Sequence, residues 1–338
     1  MNFHTTKNIT LFPKYQMLVN PDWVNALISD RNPQTYPGKG FVILELTSNN
    51  TKDEVGLYNA GHIPGAIHLN IRSLNQDYPI EEYTLFNGKL LYGAALQAKI
   101  EALGITKDTT VVLYEYDDVV WTARMAWVLL YAGVADVRIL NGAWKAWVES
   151  GYPIETAAHT GHPVNFGASV PVHPEYRCES DDLQAMLCDP TAVIGDTRSW
   201  DEHIGASNGY SSPPEFTQKG RIPGAVWVRN YDWYLHFKDL EACKKGEGIY
   251  RLRCFTDVEQ MWKQAGLTPD KKIAFYCGGG YRASLPFLYA YMLGYPKVSI
   301  YDGSWYEWSF GPNGTSLNPL ETGDSELSER RLLRKPAR

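Results

Sequence analysis

Cys277 ends a hydrophobic run and precedes three consecutive glycines, with Arg282 five positions further on, in the stretch IAFYCGGGYRAS (residues 273–284). A cysteine can act as a nucleophile once it is a thiolate. Gly278, Gly279 and Gly280 permit left-handed backbone angles, so successive N–H groups can curl into a nest that attracts anions. A helix starting near Ser284 would point the positive end of its dipole at the same place, and Pro286 fits its first turn. Such a position favours the thiolate, and Tyr281 and Arg282 complete a loop suited to an anionic substrate. The competing reading is packing. Free cysteine is among the most buried residue types, and Arg282 could simply pair with a carboxylate. The segment taken alone leaves both readings open.

The elements that must position this loop emerge from an internal repeat. AGHIPGAIHLN (60–70) returns as KGRIPGAVWVRN (219–230), LGITKDTTVVLYEYDD (103–118) as AGLTPDKKIAFYCGGG (265–280), and VADVRILNGAWKAWVESG (134–151) as YPKVSIYDGSWYEWSFG (295–311). Order is kept and spacing nearly so, which predicts two copies of one domain. In each copy β-rich runs (GFVILEL, TTVVLYEY, DVRIL; TAVIGDT, KKIAFYC, KVSIY) alternate with helical stretches that stop at glycine. That alternation predicts an α/β fold of two tandem domains, each a mainly parallel sheet flanked by helices on both faces. The domains are expected at 14–155 and 176–318, joined by an aperiodic linker at 156–175 and followed by a flexible tail at 319–338. ASNGYSSPPEFTQ (206–218) occurs only in the second copy and reads as a surface insertion.

Bulk properties narrow the function classes. The 338 residues suffice for two ordinary domains, and hydrophobic residues at 44% with charged residues at 21% fit a globular protein. Apolar runs fall short of the ~20 residues that cross a bilayer, so no membrane role is expected. Net charge is −6, with no dense basic tract before the tail ERRLLRKPAR, which argues against nucleic acid as a partner. Five cysteines without a C-x-x-C and no apolar leader suit free thiols in a reducing compartment, hence the cytoplasm. His62, His68, His203 and His236 form no metal-spaced pair in sequence, so no metal is expected.

The loop with four residues between Cys277 and Arg282, the GRIPGA motif, the DTRSWDE segment and the late DGSWYEW together resemble the rhodanese sulfurtransferases in tandem-domain form. The glycine-rich loop is most similar to bacterial multi-domain YnjE-type members. The resemblance implies ping-pong sulfur transfer. Cys277 would take the outer sulfur of a small sulfur-containing anion such as thiosulfate, hold it as a persulfide, and yield it to cyanide or a thiol; the alternatives are a 3-mercaptopyruvate sulfurtransferase and a persulfide carrier fed by a partner protein. Gly278 to Arg282 would stabilise the persulfide, and no cofactor is needed. Related dual-specificity phosphatases have five residues between cysteine and arginine. The shorter loop here favours a single sulfur over a phosphoryl group.

The chain also departs from the family pattern. Thiosulfate-specific tandem members carry basic loop residues, and both they and the mercaptopyruvate enzymes have an arginine where Glu202 stands. An i,i+4 salt bridge between Arg198 and Glu202 is therefore expected, with Arg198 as a further substrate contact and Arg282 as the main cation for the donor. Glu115 occupies the place of Cys277 in the first copy, with Tyr116, Asp117 and Asp118 in place of the glycines, so that copy is expected to be catalytically silent. Asp302 is expected to cap a turn, Trp305 and Trp308 to lie in the core, and the other four cysteines to be packing residues.

Overall fold

The computed structural model describes residues 14–48, 52–76, 89–116, 119–209, 217–228, 251–310 and 318–324. The first sheet contains β1 (Leu18–Val19), β2 (Phe41–Thr47), β3 (Ile67–Asn70), β4 (Thr110–Glu115) and β5 (Asp136–Leu140) in the order β1-β5-β4-β2-β3. The second contains β6 (Arg177–Cys178), β7 (Ala192–Asp196), β8 (Val226–Trp227), β9 (Lys272–Tyr276) and β10 (Val298–Tyr301) in the order β6-β10-β9-β7-β8. The pairings are parallel in both sheets, and the two orders are the same topology repeated. Every residue of β4 is buried, because helices cover both faces.

One hydrogen bond aligns the copies residue by residue. The Ile63 amide donates to the Tyr114 hydroxyl at 3.2 Å, and the Ile222 amide to the Tyr276 hydroxyl at 3.2 Å. Tyr114 therefore corresponds to Tyr276, and Glu115 to Cys277.

Helices Val120–Ala132 and Ser284–Met292 are buried on nearly every side, and their packing explains why. Each lies on its own sheet and also against the other, so that one hydrophobic cluster runs from Met125 and Val128 through to Leu285, Phe287 and Leu288. Polar contacts close the same interface with an approximate twofold relation. The Leu90 amide of the first copy donates to Asp302 Oδ2 at 2.8 Å, and the Leu252 amide of the second donates to Asn141 Oδ1 at 3.1 Å. Lys89 adds ion pairs to Glu307 at 2.6 Å and Glu179 at 3.3 Å.

The expected tail needs correction. Residues 318–323 dock on the second domain as 152–157 do on the first. Trp147 Nε1 donates to the Pro153 carbonyl and Trp308 Nε1 to the Pro319 carbonyl, both at 3.0 Å. Glu155 receives the Gly65 amide at 2.7 Å and Glu321 the Gly224 amide at 2.8 Å. The second copy is thus closed by its own C-terminal segment, and residues 325–338 lie outside the described residues. The 156–175 segment also packs on the first domain. Phe166 is fully buried, and a Cβ on Gly161 would lie 2.3 Å from the Ala102 carbonyl oxygen. Most of the 206–218 insertion lies outside the described residues, as do Asp117 and Asp118.

Candidate active site

Cys277 stands just beyond the carboxyl end of β9, the central strand of the second sheet, where α/β folds place ligands. The Gly280 amide donates to its Sγ at 3.1 Å, a contact that stabilises negative charge on sulfur. The residue is only 1% exposed, so a sulfur held there is shielded from water. Its backbone is clamped by the turn after β10. The Cys277 amide donates to Ser304 Oγ at 3.1 Å, while the Trp305 amide donates to the Cys277 carbonyl at 2.9 Å and the Tyr306 amide to the Gly278 carbonyl at 3.0 Å. Ser304 Oγ in turn donates to the Tyr301 carbonyl at 2.9 Å; its left-handed φ of 54° belongs to the turn, since Ala143 at the same place in the first copy has 55°.

The three glycines have different reasons to be there. Gly280 alone among them has a left-handed φ, 88°, and a Cβ on it would meet the Asp302 carbonyl oxygen at 2.7 Å. At Gly278 and Gly279 a Cβ would lie 3.3 Å and 3.4 Å from the Tyr306 side chain, which covers this part of the loop. Space under Tyr306, rather than backbone handedness, favours glycine at those two positions.

The structure overturns the expected charge pairing. Arg282 forms the bidentate pair with Glu202, Nη1 to Oε2 at 3.1 Å and Nη2 to Oε1 at 3.0 Å. Glu202 also caps its own short helix, Trp200–Ile204, through the Ser199 amide and hydroxyl. Burial would raise the Glu202 carboxyl, but the charge and hydrogen bonds of Arg282 and the Ser199 amide outweigh it, holding the group below the usual glutamate range. Arg198 instead binds Asp196, Nε to Oδ1 at 2.9 Å and Nη2 to Oδ2 at 2.7 Å, and is fully buried, with its guanidinium over the Trp305 ring. Arg198 is therefore a core cation rather than a substrate contact. Asp196 also takes the Tyr276 hydroxyl at 2.8 Å and faces His203 Nδ1 at 3.0 Å. Burial disfavours its charge, yet Arg198 and His203 together hold its carboxyl well below the ordinary aspartate range.

The first domain reaches directly into this loop. Arg124, on helix Val120–Ala132 and 1% exposed, pairs with Asp302 Oδ1 at 2.6 Å and donates to the Gly280 carbonyl at 3.4 Å. Its guanidinium lies over the rings of Trp127 and Tyr281. Tyr281 leaves the loop toward the first domain, where its hydroxyl meets Asn75 Nδ2 and its ring packs edge-on against Trp121. Burial raises the Tyr281 phenol, so it remains a neutral hydrogen-bonding group. Asp302 does not cap a turn. Burial opposes its charge, but Arg124, Arg177 and the Leu90 amide keep its carboxyl below the ordinary range. Glu115 is itself buried and accepts the Thr122 amide at 3.3 Å.

Three residues that hold the Cys277 loop were given no such role by the sequence: Arg124, Ser304 and Asp302, the last expected only to cap a turn. The repeat held a signal for two of them, because NGA at 141–143 becomes DGS at 302–304, and both changed side chains serve the Cys277 loop. Trp305 and Trp308 are core residues, 1% and 0% exposed. Among the other cysteines, Cys178 is buried and its thiol is pushed up to about 12, chiefly by burial. Cys188 and Cys254 are exposed, so they are not packing residues, and Cys243 lies outside the described residues. No helix among the described residues is long and apolar enough to cross a membrane.

Comparison with known proteins agrees with this geometry. The family model for the rhodanese-like domain matches twice, over residues 20–150 and 179–310. The chain is 34% identical to thiosulfate sulfurtransferase YnjE of Escherichia coli over 92% of its own length, and spans 66% of that protein. It is 30% identical to the sulfur carrier protein TtuD of Thermus thermophilus, over 87% of this chain and 93% of that one. Among solved structures, wild-type EanB superposes with a TM-score of 0.75 at 31% identity, covering 92% of this chain and 70% of that one. Another EanB structure, with a TM-score of 0.77 and 32% identity, holds ergothioneine covalently linked with a persulfide cysteine. A cysteine held at the end of a central strand by a four-residue glycine loop, on a fold present twice, agrees with the matched models, and the chain belongs to the rhodanese family of sulfurtransferases in its tandem-domain form.

Proposed function

We propose that Cys277 carries sulfane sulfur as a persulfide within the second domain, while the first domain does no chemistry of its own. With thiosulfate as donor, the Cys277 thiolate attacks the outer sulfur. The bond from that sulfur to the sulfonate breaks, and sulfite leaves with the electron pair. An acceptor such as cyanide or a thiolate then attacks the outer sulfur of the persulfide, and the cysteine thiolate is regenerated. The observation that carries this reading is the Gly280 amide donating to Sγ, because Sγ bears the negative charge both as the attacking thiolate and as the group released when the acceptor takes the outer sulfur. The loop backbone from Gly278 to Arg282 and the start of helix Ser284–Met292 would face the bound anion.

The Arg282–Glu202 pair favours a particular donor. A small dianion gains most from a cation whose charge is not already compensated, and here Glu202 compensates Arg282. We infer that thiosulfate serves poorly and that a protein persulfide is the better donor, in a reducing compartment such as the cytoplasm. The similarity to a sulfur carrier protein supports this relay.

Intact-mass measurement after incubation with thiosulfate, and separately with a persulfidated donor protein, tests the assignment. Wild type should gain one sulfur and Cys277→Ala none. Sulfur transfer to cyanide by Cys277→Ala would overturn it.

A further inference from the structure

The two copies solve one structural problem differently, and the difference points to a metal. In the second domain Arg221 fills the space beside the docked C-terminal segment. Its guanidinium donates to the carbonyls of Gly323 at 2.6 Å and His203 at 3.2 Å, and pairs with the Glu321 carboxylate. The repeat places His62 where Arg221 stands, Glu155 where Glu321 stands, and Ala157 where Gly323 stands, with matching antiparallel bridges from His62 to Glu155 and from Arg221 to Glu321. The acceptors survive in the first copy, but the permanent cation does not.

His62 is fully buried and faces two carbonyl oxygens at once. Nδ1 lies 2.7 Å from the Tyr58 oxygen and Nε2 lies 3.1 Å from the Ala157 oxygen. A neutral imidazole has one N–H to give. The shorter contact takes it at Nδ1, the backbone anchor typical of a metal-binding histidine, and this aims the Nε2 lone pair toward the Ala157 carbonyl. The first copy also brings a second imidazole to the spot. His159 Nε2 lies 2.9 Å from Glu155 Oε2, and the ligand atoms of His62, Glu155 and His159 all fall within 4.8 Å of one another.

We propose that His62, Glu155 and His159 bind a divalent transition ion of the zinc class, with the Ala157 carbonyl adjacent. Two imidazoles and one carboxylate suit zinc and disfavour calcium or magnesium, which prefer all-oxygen sites. Tetrahedral coordination at about 2.0–2.1 Å would draw the ligand atoms to about 3.4 Å apart. His159 and Glu155, with side chains 38% and 31% exposed, have room to close on the fixed His62, and they open the path by which the ion enters. The ion would stand where the Arg221 guanidinium stands in the other copy. It would pin the start of the interdomain segment to the first domain.

Equilibrium dialysis of the Cys277→Ala chain against micromolar zinc chloride, followed by metal analysis, tests this. One zinc per chain should be retained, and His159→Ala in the same background should lose at least tenfold in affinity. Zinc should raise Tm by a few degrees in the parent and not in His159→Ala. Cobalt(II) should give visible d–d bands without the near-ultraviolet thiolate charge-transfer band. No zinc uptake, unchanged uptake in His159→Ala, or a thiolate band would each overturn the proposal.

Discussion

The pair at the mouth of the loop makes the sharpest prediction. Glu202→Gln keeps the shape of the side chain and one acceptor oxygen for the Ser199 contacts, but removes the charge facing Arg282. Glu202 and Arg282 are 3% and 12% exposed at their side chains, so solvent screens the pair little. Breaking a buried pair by removing one partner costs about 3–5 kcal/mol. Because glutamine still accepts a hydrogen bond, a loss of about 2–3 kcal/mol at neutral pH is expected. The electrostatic gain for an anionic donor runs the other way. Two negative charges on the order of 8 Å apart repel by about 2 kcal/mol at an effective dielectric of 20. Removing the Glu202 charge should lower KM for thiosulfate by up to roughly thirtyfold, with a smaller effect on kcat, since Cys277 and the Gly280 amide are untouched. Steady-state transfer to cyanide, with urea unfolding alongside, measures both quantities. An unchanged or higher KM in a folded Glu202→Gln chain would refute the claim that Glu202 disfavours small anionic donors.

Gly280→Ala combines a left-handed φ with a Cβ contact of 2.7 Å to a backbone oxygen, and should cost about 2–4 kcal/mol and lower kcat/KM at least tenfold; a gain of stability would contradict the geometry. Arg124→Met, a change in the first domain, should destabilise by about 3 kcal/mol because Asp302 keeps only Arg177 and the Leu90 amide, and should reduce kcat through the Gly280 carbonyl; stability within 0.5 kcal/mol of wild type by urea unfolding would sink it. Asp302 and Glu202 titrate below their unfolded values, so their contribution is complete above about pH 5 and lost as pH falls through their folded values. Unfolding free energy should therefore drop steeply below about pH 4, and less steeply in Asp302→Asn, as measured at several pH values. Glu115→Cys in a Cys277→Ala background should stay inactive toward thiosulfate, because Ala143 offers no hydroxyl for the amide of residue 115; measurable turnover would refute this.

The central strands and long helices were legible because each carries its own signal. β4 and β9 are continuous apolar runs, and helix Phe255–Gln264 shows one buried stripe through Phe255, Val258 and Trp262. The edge strands β1, β6 and β8 have two residues each, too few to show any period. The charge pairing failed for a different reason. An i,i+4 rule weighs only neighbours along the chain, whereas Glu202 found Arg282 eighty residues away and Arg198 turned back to Asp196 at the end of its own strand. The histidine cluster was hidden in the same way, since His62 meets Glu155 and His159 only when the segment after the first domain folds back.

These non-local contacts also give the first copy a structural part in the proposed site. The two copies exchange backbone amides symmetrically, Leu90 to Asp302 and Leu252 to Asn141. Around the cysteine the symmetry is broken where Glu115 faces Cys277, Asn141 faces Asp302 and Ala143 faces Ser304 in the repeat. In the second copy the cysteine is the proposed nucleophile, the serine holds its amide, and the aspartate takes Arg124 from the first copy. Arg124 in turn reaches the Gly280 carbonyl, on the same residue whose amide faces sulfur. The first domain thus forms one wall of the sulfur loop. Glu115 in the place of a cysteine leaves that wall intact, so substitution at residue 115 should be tolerated while substitution at Arg124 should not be.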